Sequence, residues 1–304
     1  MRITTTSQSA VSSIRKICLI IVLTGNLFYA FNVAASIEVV DDSGLSVVLK
    51  QPARRIVSLA PHATELLFAA GAGQQVVGVV DFSDYPESAK SITSVGGYQS
   101  LDYEKIISLQ PDLIVAWKSG NPAGSIEKLK KMGIPVFITE ARMLDDIPGL
   151  LMRIGGLTDT QKQAQKVIDQ YNKHLSLLRQ QNKNKKKVSV FYQIWQQPLM
   201  TVNSEHLINK IITLCGGVNI FADMAMLSGA VGMEDILIQN PDVIMINGKE
   251  KRFKDWGSAW GQWKQLKAVQ EKQIFKVNPD TMSRHSPRIL QGADEVCGIL
   301  DSVR

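Results

Sequence analysis

Cysteine is scarce in this chain, and the familiar cysteine and histidine motifs are missing. Its 304 residues include three cysteines and four histidines. No CxxC pair is present, and no two histidines have the HxxH or HxxxH spacing of zinc ligands on a helix. The nucleophile motif GxSxG of many hydrolases is missing too. We therefore expect a protein that is not an enzyme, needs no cofactor and holds no metal of its own. An exported enzyme is the alternative class.

Excess positive charge is also small outside the first residues. Of the 34 Lys and Arg residues three lie in residues 1–35, where there is no Asp or Glu, so the net charge of +6 falls to +3 without that segment. Nucleic-acid binding usually needs a concentrated basic face, and so mild an excess argues against it. The one dense run, NKNKKK at residues 182–187, is typical of a solvated helix end.

Long apolar runs are confined to the N-terminus. Arg15 and Lys16 precede an apolar run from Ile17 to Ala35 that ends in small residues. A basic start, an apolar centre and a small-residue end predict a cleavable secretory signal, residues 1–35, and hence a periplasmic protein. A retained membrane anchor is the alternative, but the run contains Gly and Asn and is weak for a membrane span.

Two cysteines, Cys215 and Cys297, lie beyond the predicted signal. In an exported protein a single pair favours one disulfide, and two free thiols are the alternative. The bridge would close a loop of about 80 residues, which the chain-entropy model values at about 4 kcal/mol.

Short strands alternate with helices on both sides of one long helical stretch. From Thr158 to about Gln181 the chain has no Pro or Gly, and its apolar residues follow a helical period. Alternating strands and helices predict parallel α/β sheets. We therefore expect an α/β fold of two Rossmann-like lobes joined by a single long backbone helix. The expected boundaries are residues 36–157 for the N-terminal lobe, 158–183 for the helix and 184–304 for the C-terminal lobe.

Two segments of the chain are nearly the same. EKIISLQPDLIVAW starts at Glu104 and EDILIQNPDVIMIN starts at Glu234, and they share Glu, Ile, Pro, Asp and Ile at a constant offset of 130 positions. The repeat predicts one helix, a Pro-Asp stop and one buried strand in each lobe. A Glu in the first turn favours the helix dipole, which is one explanation for the shared Glu.

Three tryptophans, Trp256, Trp260 and Trp263, follow at helical spacing. Such a stripe is typical of a helix that packs on the core. A ligand-facing aromatic wall is the alternative.

Five stretches resemble the periplasmic binding proteins of the cobalamin and iron-chelate group. They are SLAPHATELLFAAG, VGVVDFSDYPESA, LDYEKIISLQPDLIVAWKSGN, LCGGVNIF and SRHSPRIL, and the resemblance runs from about Arg55 to the end of the chain. It implies a monomeric solute-binding protein of an ABC importer, with the ligand held between two lobes that a rigid helix joins. The implied cargo is cobalamin or a related corrinoid, and haem or an iron siderophore is the alternative.

The resemblance also implies a role for the repeated Glu. In this group an exposed acidic residue on each lobe meets arginines of the membrane permease, and Glu104 and Glu234 occupy the matching positions. A dimeric permease offers two equivalent basic pockets, so one carboxylate from each lobe would orient the encounter.

The ligand contacts implied by the resemblance are less uniform. Phe82 and Tyr98 stand where the group's corrinoid-binding members have Tyr and Trp, whereas Trp117 is retained. The polar pair of the cleft is kept as Asp280 and Arg284, with the alternative that these two simply pair with each other. On the second lobe Met200, Ser228 and Met282 replace aromatic residues of the group. Large flat rings suit the apolar wall that remains.

One cleft position differs in a way that bears on the cargo. Pro61 and His62 follow the first strand of the N-terminal lobe, in the loop expected to face the cleft, where a corrinoid-binding relative has a small residue at the position of His62. A neutral imidazole can ligate cobalt or haem iron. The alternative is that His62 only lines the cleft.

Overall fold

Two parallel sheets, one on each side of a long helix, organise the chain. The computed structural model describes residues 36–304, and the predicted signal, residues 1–35, lies outside the described residues. The strands are β1 (Ile37–Val40), β2 (Ser46–Leu49), β3 (Ile56–Ser58), β4 (Val76–Val79), β5 (Thr93–Ser94), β6 (Gly96–Gly97), β7 (Ser100–Leu101), β8 (Leu113–Trp117), β9 (Val136–Thr139), β10 (Val188–Gln193), β11 (Met200–Val202), β12 (Gly217–Asn219), β13 (Ser228–Ala230), β14 (Val243–Asn247) and β15 (Ile274–Val277). The α-helices are α1 (Pro61–Ala69), α2 (Tyr103–Ser108), α3 (Ala123–Lys131), α4 (Asp146–Thr158), α5 (Gln161–Asn182), α6 (Leu207–Leu214), α7 (Met233–Gln239), α8 (Glu250–Trp260), α9 (Lys267–Gln270), α10 (Pro279–Met282) and α11 (Ile289–Ser302).

Each lobe is built around one of these sheets. The N-terminal sheet has the order β5-β4-β3-β8-β9 and the C-terminal sheet the order β12-β10-β14-β15. All neighbouring strands in both sheets are parallel. Helices cover both faces of such sheets, which is why the central strands are continuous apolar runs, such as LIVAW in β8 and VIMIN in β14. The predicted fold class is confirmed.

The helix α5 joins the two lobes. Its apolar stripe is buried and consists of Ala164, Ile168, Tyr171, Leu175 and Leu178. The sequence predicted that this helix would begin at Thr158, which is wrong. Thr158 is the last residue of α4, and Asp159 then takes a left-handed conformation with φ of 60°, so α5 starts afresh at Gln161.

The repeated segments form the same unit in both lobes. Helix α2 precedes β8 and helix α7 precedes β14, as predicted. The Asp112 carboxylate accepts hydrogen bonds from the backbone N–H groups of Arg54 and Arg55, at 2.7 and 2.9 Å. The Asp242 carboxylate accepts one from the backbone N–H of Ser189, at 2.8 Å. Both aspartates thus tie the repeat to the start of the neighbouring strand, which gives the Pro-Asp part of the repeat a structural role.

Strands β1 and β2 form an antiparallel pair. The predicted disulfide is confirmed. Cys215, after α6, and Cys297, in α11, are joined by a disulfide. In the described part of the chain, no helix combines the length and the apolar character needed to cross a membrane.

Candidate functional site

The carboxyl ends of the strands of both sheets meet between the lobes. His62 follows β3 and Trp117 ends β8, whereas Asp280 and His285 follow β15. The His62 and His285 rings lie with centroids 5.6 Å apart, so the two sheet edges face each other. Ligands of parallel α/β sheets bind outside the carboxyl ends of the strands. We call this region the interlobe cleft.

His62 and Pro61 begin a helix instead of lying in a loop. The sequence analysis placed both residues in a loop, which is wrong, because α1 begins at Pro61 and proline suits the first helical position. The His62 side chain is buried, its Nε2 lies 3.2 Å from Thr139 Oγ1, and its ring makes an edge contact with Trp117 at 5.2 Å. His62 therefore lies on a helix between the two lobes, and its role in lining the ligand site stays a prediction.

Three histidines gather at the base of the cleft. The His206 and His285 ring centroids are 6.3 Å apart, and His285 is next to His62. Burial lowers the pKa of His62 to about 3 and that of His206 to about 4, with Arg284 and Arg142 adding to the effect. Burial also holds the pKa of His285 well below its ordinary value. All three imidazoles are therefore neutral at neutral pH.

The hydrogen bonds of these histidines differ. His206 Nδ1 accepts from the backbone N–H of Ile208 and caps α6. The buried His285 Nδ1 has no hydrogen-bond partner within residues 36–304. In the same residues no group of three His, Cys, Asp or Glu side chains is placed to hold a metal ion. A contact between His62 and a metal that arrives with a ligand stays a prediction.

Arg284 lies at the centre of an ion cluster that joins the lobes. Its Nη1 contacts Glu65 Oε1 at 2.9 Å and Asp84 Oδ1 at 2.7 Å, both from the N-terminal lobe. Its Nη2 contacts Asp280 Oδ1 at 3.1 Å. Asp280 and Arg284 therefore pair with each other, which was the alternative at the sequence level. Glu65 and Asp84 were missed.

Glu65 is the most buried member of this cluster, with a side chain 2% exposed. It also accepts from Ser286 Oγ at 2.5 Å and from Arg288 Nη1 at 2.9 Å. Burial raises the pKa of the Glu65 carboxyl, and the bonds from Ser286 and Arg284 oppose that rise. A carboxylate inside the apolar run ATELLF was the signal in the sequence that could have revealed it.

The predicted aromatic residues do not form one continuous wall. Tyr98 is 37% exposed, and its ring centroid is 6.4 Å from that of the half-buried Trp117. Phe82 is 78% exposed, so its ring lies in solvent. Its backbone is in the left-handed region, with φ of 65°. Among the replaced aromatic positions Met200 is half-buried and Ser228 exposed, whereas Met282 is completely buried in the core.

A cavity of about 660 Å³ opens on the C-terminal lobe, where β10, β14 and β15 end. Its lining includes Trp195, Gln196, Lys249, Lys251, Arg252 and Trp256, and we call it the tryptophan cavity. The tryptophan stripe is divided between two roles. Trp260 is buried and donates to Gln193 Oε1 at 2.9 Å, whereas Trp256 faces the cavity. Trp195 and Arg252 were missed at the sequence level.

Glu104 and Glu234 lie on the surface of their lobes. Each is exposed and sits in the first turn of a short helix, α2 or α7. Neither forms a salt bridge with any other described residue, in contrast to Asp112 and Asp242 of the same repeat, which are used for hydrogen bonds inside the fold. The two carboxylates are therefore free to meet positive groups of a partner.

The sequence profile of the periplasmic binding protein family matches residues 56–281. The chain belongs to the periplasmic binding protein family. It is 35% identical over 255 residues to the vitamin B12-binding protein of Vibrio parahaemolyticus, covering 84% of this chain and 92% of the relative.

Solved structures agree with this assignment. The periplasmic vitamin B12 binding protein BtuF of Vibrio cholerae is similar with a TM-score of 0.78 and 36% identity, over 83% of this chain and 98% of that structure. The periplasmic heme-binding protein RhuT from Roseiflexus is similar with a TM-score of 0.73 over 83% of this chain and 99% of that one, but at 21% identity it shows the fold alone. This periplasmic binding protein thus shares its interlobe architecture with proteins of different cargo.

Proposed function

We propose that this chain is a periplasmic solute-binding protein that captures cobalamin or a related corrinoid between its lobes and delivers it to an ABC permease dimer. The observation that carries the proposal is the likeness to the two Vibrio proteins named for vitamin B12, which extends over more than four fifths of the chain. We further propose that the chain is exported by a signal cleaved near Ala35 and works as a monomer.

The chemistry of the interlobe cleft supports a corrinoid. Tyr98 and Trp117 offer flat apolar surface for the face of a macrocycle. Phe82, which is 78% exposed, would lose much of its exposed surface against a macrocycle. Asp280 and Arg284 supply a hydrogen-bond acceptor and donors for the amide side chains around a corrin ring.

Haem or an iron siderophore is the second candidate, and His285 is the observation in its favour. Its imidazole is neutral, lies in the interlobe cleft beside His62, and has an Nδ1 atom without a hydrogen-bond partner among residues 36–304. A neutral imidazole is the usual proximal ligand of haem iron.

We propose that Glu104 and Glu234 dock the protein onto the permease. Among the residues that the two copies share, they are the exposed ones, and neither forms a salt bridge with another residue of the described range 36–304. They present one carboxylate on each lobe. Two equivalent basic pockets on a permease dimer would match this arrangement. Charge pairs of this type favour the correct orientation and raise the encounter rate.

Calorimetry with cyanocobalamin, and separately with haemin, tests the proposed cargo on the chain from Ser36 onward. We expect saturable one-to-one binding of cyanocobalamin and no shift of the haem Soret band. Tyr98→Ala should weaken corrinoid binding, because it removes stacking surface. The matched control is Tyr103→Ala, which removes a tyrosine of the same lobe that contacts Lys128. A Soret shift together with no corrinoid binding would favour the haem alternative, and His285→Ala should then abolish that shift.

A further inference from the structure

We propose that a pocket on the flank of the contact between the lobes binds a small aromatic carboxylate. The pocket has a volume of about 290 Å³ and lies where α1 and the loop after β4 meet the segment that leads into α11. Its lining includes Phe68, Ala69, Tyr85, Pro86, Pro287 and Arg288, and we call it the flank pocket. Pockets for drug-sized molecules begin at about 300 Å³, so a corrinoid does not fit and the inference does not depend on the cargo.

The flank pocket is separate from the interlobe cleft. Helix α1 has His62 in its first turn, beside the cleft, whereas Phe68 and Ala69 lie in its last turn. The distance along the helix axis from His62 to Phe68 is roughly 9 Å. Residues of both lobes line the pocket, so a molecule bound there would contact both of them.

Arg288 supplies the group that would recognise a carboxylate. Its side chain is 17% exposed, and its Nη1 donates to Glu65 Oε1 at 2.9 Å. Its Nε and Nη2 atoms donate no hydrogen bond to any residue within the described range 36–304. Largely buried donors without an acceptor are costly, and a bound acceptor would remove that cost. The two oxygens of a carboxylate match the planar guanidinium fork.

The distribution of charge around the pocket also favours an anion. Glu65 Oε1 accepts hydrogen bonds from both Arg284 and Arg288. Arg284 has two further carboxylates, Asp84 and Asp280, within salt-bridge distance. For Arg288, Glu65 is the only such carboxylate in the part of the chain that the structure describes. Arg288 is therefore the less compensated of the two arginines.

The rest of the flank pocket suits a single aromatic ring. The Arg288 Cζ atom lies 3.7 Å from the ring centroid of Tyr85, and this contact holds the guanidinium in place. Four half-buried lining residues are apolar, namely Phe68, Ala69, Pro86 and Pro287. Apolar walls with one convergent charged group are typical of a small-molecule site. A ring would cover the walls while its carboxylate meets Arg288.

An NMR titration of the purified protein with phenylacetate tests the inference, and 2-phenylethanol is the uncharged isostere. We expect saturable binding of phenylacetate with a Kd of about 1 mM or tighter, as is reasonable for a ligand of this size. Binding of 2-phenylethanol should be at least about tenfold weaker, because it lacks the charge that Arg288 recognises.

Two variants assign the binding to the flank pocket. Arg288→Gln should weaken phenylacetate binding by at least about tenfold, but it also removes a contact between the lobes. Ala69→Leu keeps every ion pair and fills the pocket, so it should abolish binding. The matched control is Arg179→Gln, which removes an arginine that pairs with Asp145 outside the pocket lining and should bind phenylacetate as the wild type does.

Three results would overturn the inference. The first is that phenylacetate shows no saturable binding to the wild-type protein. The second is equal affinity for phenylacetate and 2-phenylethanol, which would mean that the site does not select an anion. The third is full affinity for phenylacetate in Ala69→Leu, which would place the bound molecule outside the flank pocket.

Discussion

Glu65 in the first lobe and Arg284 in the second form an ion pair of 2.9 Å across the interlobe cleft, between residues that are 219 positions apart in the chain. The Arg284 side chain is 10% exposed and that of Glu65 is 2% exposed, so little water reaches the pair. Arg288 shares the Glu65 carboxylate, and its Cζ lies 3.7 Å from the ring centroid of Tyr85, which is also in the first lobe. Together these contacts hold the two lobes in one relative position.

Glu65→Gln is expected to lower the free energy of unfolding by about 3 kcal/mol. Neutralising Glu65 leaves two arginines with less compensation in a buried place, and breaking a buried pair is costly for that reason. Asp84 and Asp280 still face Arg284, so we expect the lower end of the usual range. Urea denaturation followed by circular dichroism measures the change.

The control for this variant is an exposed ion pair. Lys90 and Glu87 pair at 2.8 Å on the surface of the first lobe. Glu87→Gln removes the same charge from the same lobe, and we expect its denaturation midpoint to match that of the wild type, because exposed pairs contribute little. Equal midpoints for Glu65→Gln and Glu87→Gln would contradict a stabilising interlobe cluster.

The three buried histidines predict a loss of stability in acid. Their pKa values are lowered in the folded protein, to about 3 for His62 and about 4 for His206, and well below the ordinary value for His285. Below pH about 6.5 the unfolded chain therefore binds protons that the folded chain does not. The free energy of unfolding should fall as the pH drops from about 6.5 to 4, by at most about 1.4 kcal/mol per pH unit for each histidine.

A comparison of slopes isolates this effect from the titration of carboxylates. We expect His285→Gln to make the free energy of unfolding less steeply dependent on pH between 7 and 5, by the contribution of one proton. The charged groups around the cluster are Arg284 near His62 and Arg142 near His206 and His285. Denaturation series at pH 7, 6 and 5 give both slopes. If the free energy of unfolding depends on pH equally steeply in the variant and the wild type, His285 is not a buried neutral base in the folded protein.

The disulfide is expected to be a large part of the stability of the C-terminal lobe. Cys215 and Cys297 are separated by 82 positions, and a loop of this length corresponds to about 4 kcal/mol in the chain-entropy model. Cys215→Ala combined with Cys297→Ala should lower the free energy of unfolding by a similar amount. Denaturation of the wild type with and without dithiothreitol is the companion measurement. If neither change moves the midpoint, the bridge is not stabilising.

Features that depend on nearby sequence were predictable. The repeat contains its own helix start, Pro-Asp stop and buried strand, so both copies could be predicted from one local pattern. The disulfide could also be predicted, because only one pair of cysteines lies beyond the predicted signal. Even so, the left-handed turn at Asp159 was missed, since a non-glycine residue with positive φ leaves no clear mark in the sequence.

Features that depend on distant contacts were not predictable. Glu65 was part of an apolar helix pattern, and its partners Arg284 and Arg288 lie more than 200 positions away. Trp195 follows β10, whereas Arg252 lies in α8, which follows β14. The two side chains meet only because β10 and β14 are neighbours in the sheet. The exposure of Phe82 had no local signal either, because it depends on which surfaces the lobes cover. Which side chains meet in the interlobe cleft could therefore be read only from the three-dimensional structure.

If the repeated glutamates dock the protein onto the permease, their substitution should abolish transport without changing the affinity for the corrinoid. Glu104→Arg combined with Glu234→Arg should leave corrinoid affinity unchanged, because both residues are exposed on α2 and α7, away from the carboxyl ends of the strands. Uptake should be lost, since two attractive pairs with the permease become repulsive. Uptake of labelled cyanocobalamin in cells that lack the native binding protein measures this.

The matched control reverses two other exposed charges, with Glu127→Arg in the first lobe and Glu271→Arg in the second. It changes the net charge by the same amount, so a general electrostatic effect would lower uptake in both double variants. If docking depends on the repeat itself, only the variant of Glu104 and Glu234 fails, and each single reversal leaves partial uptake because one carboxylate still meets its pocket. Full uptake by the double reversal would leave the shared glutamates with no role beyond the first turns of α2 and α7.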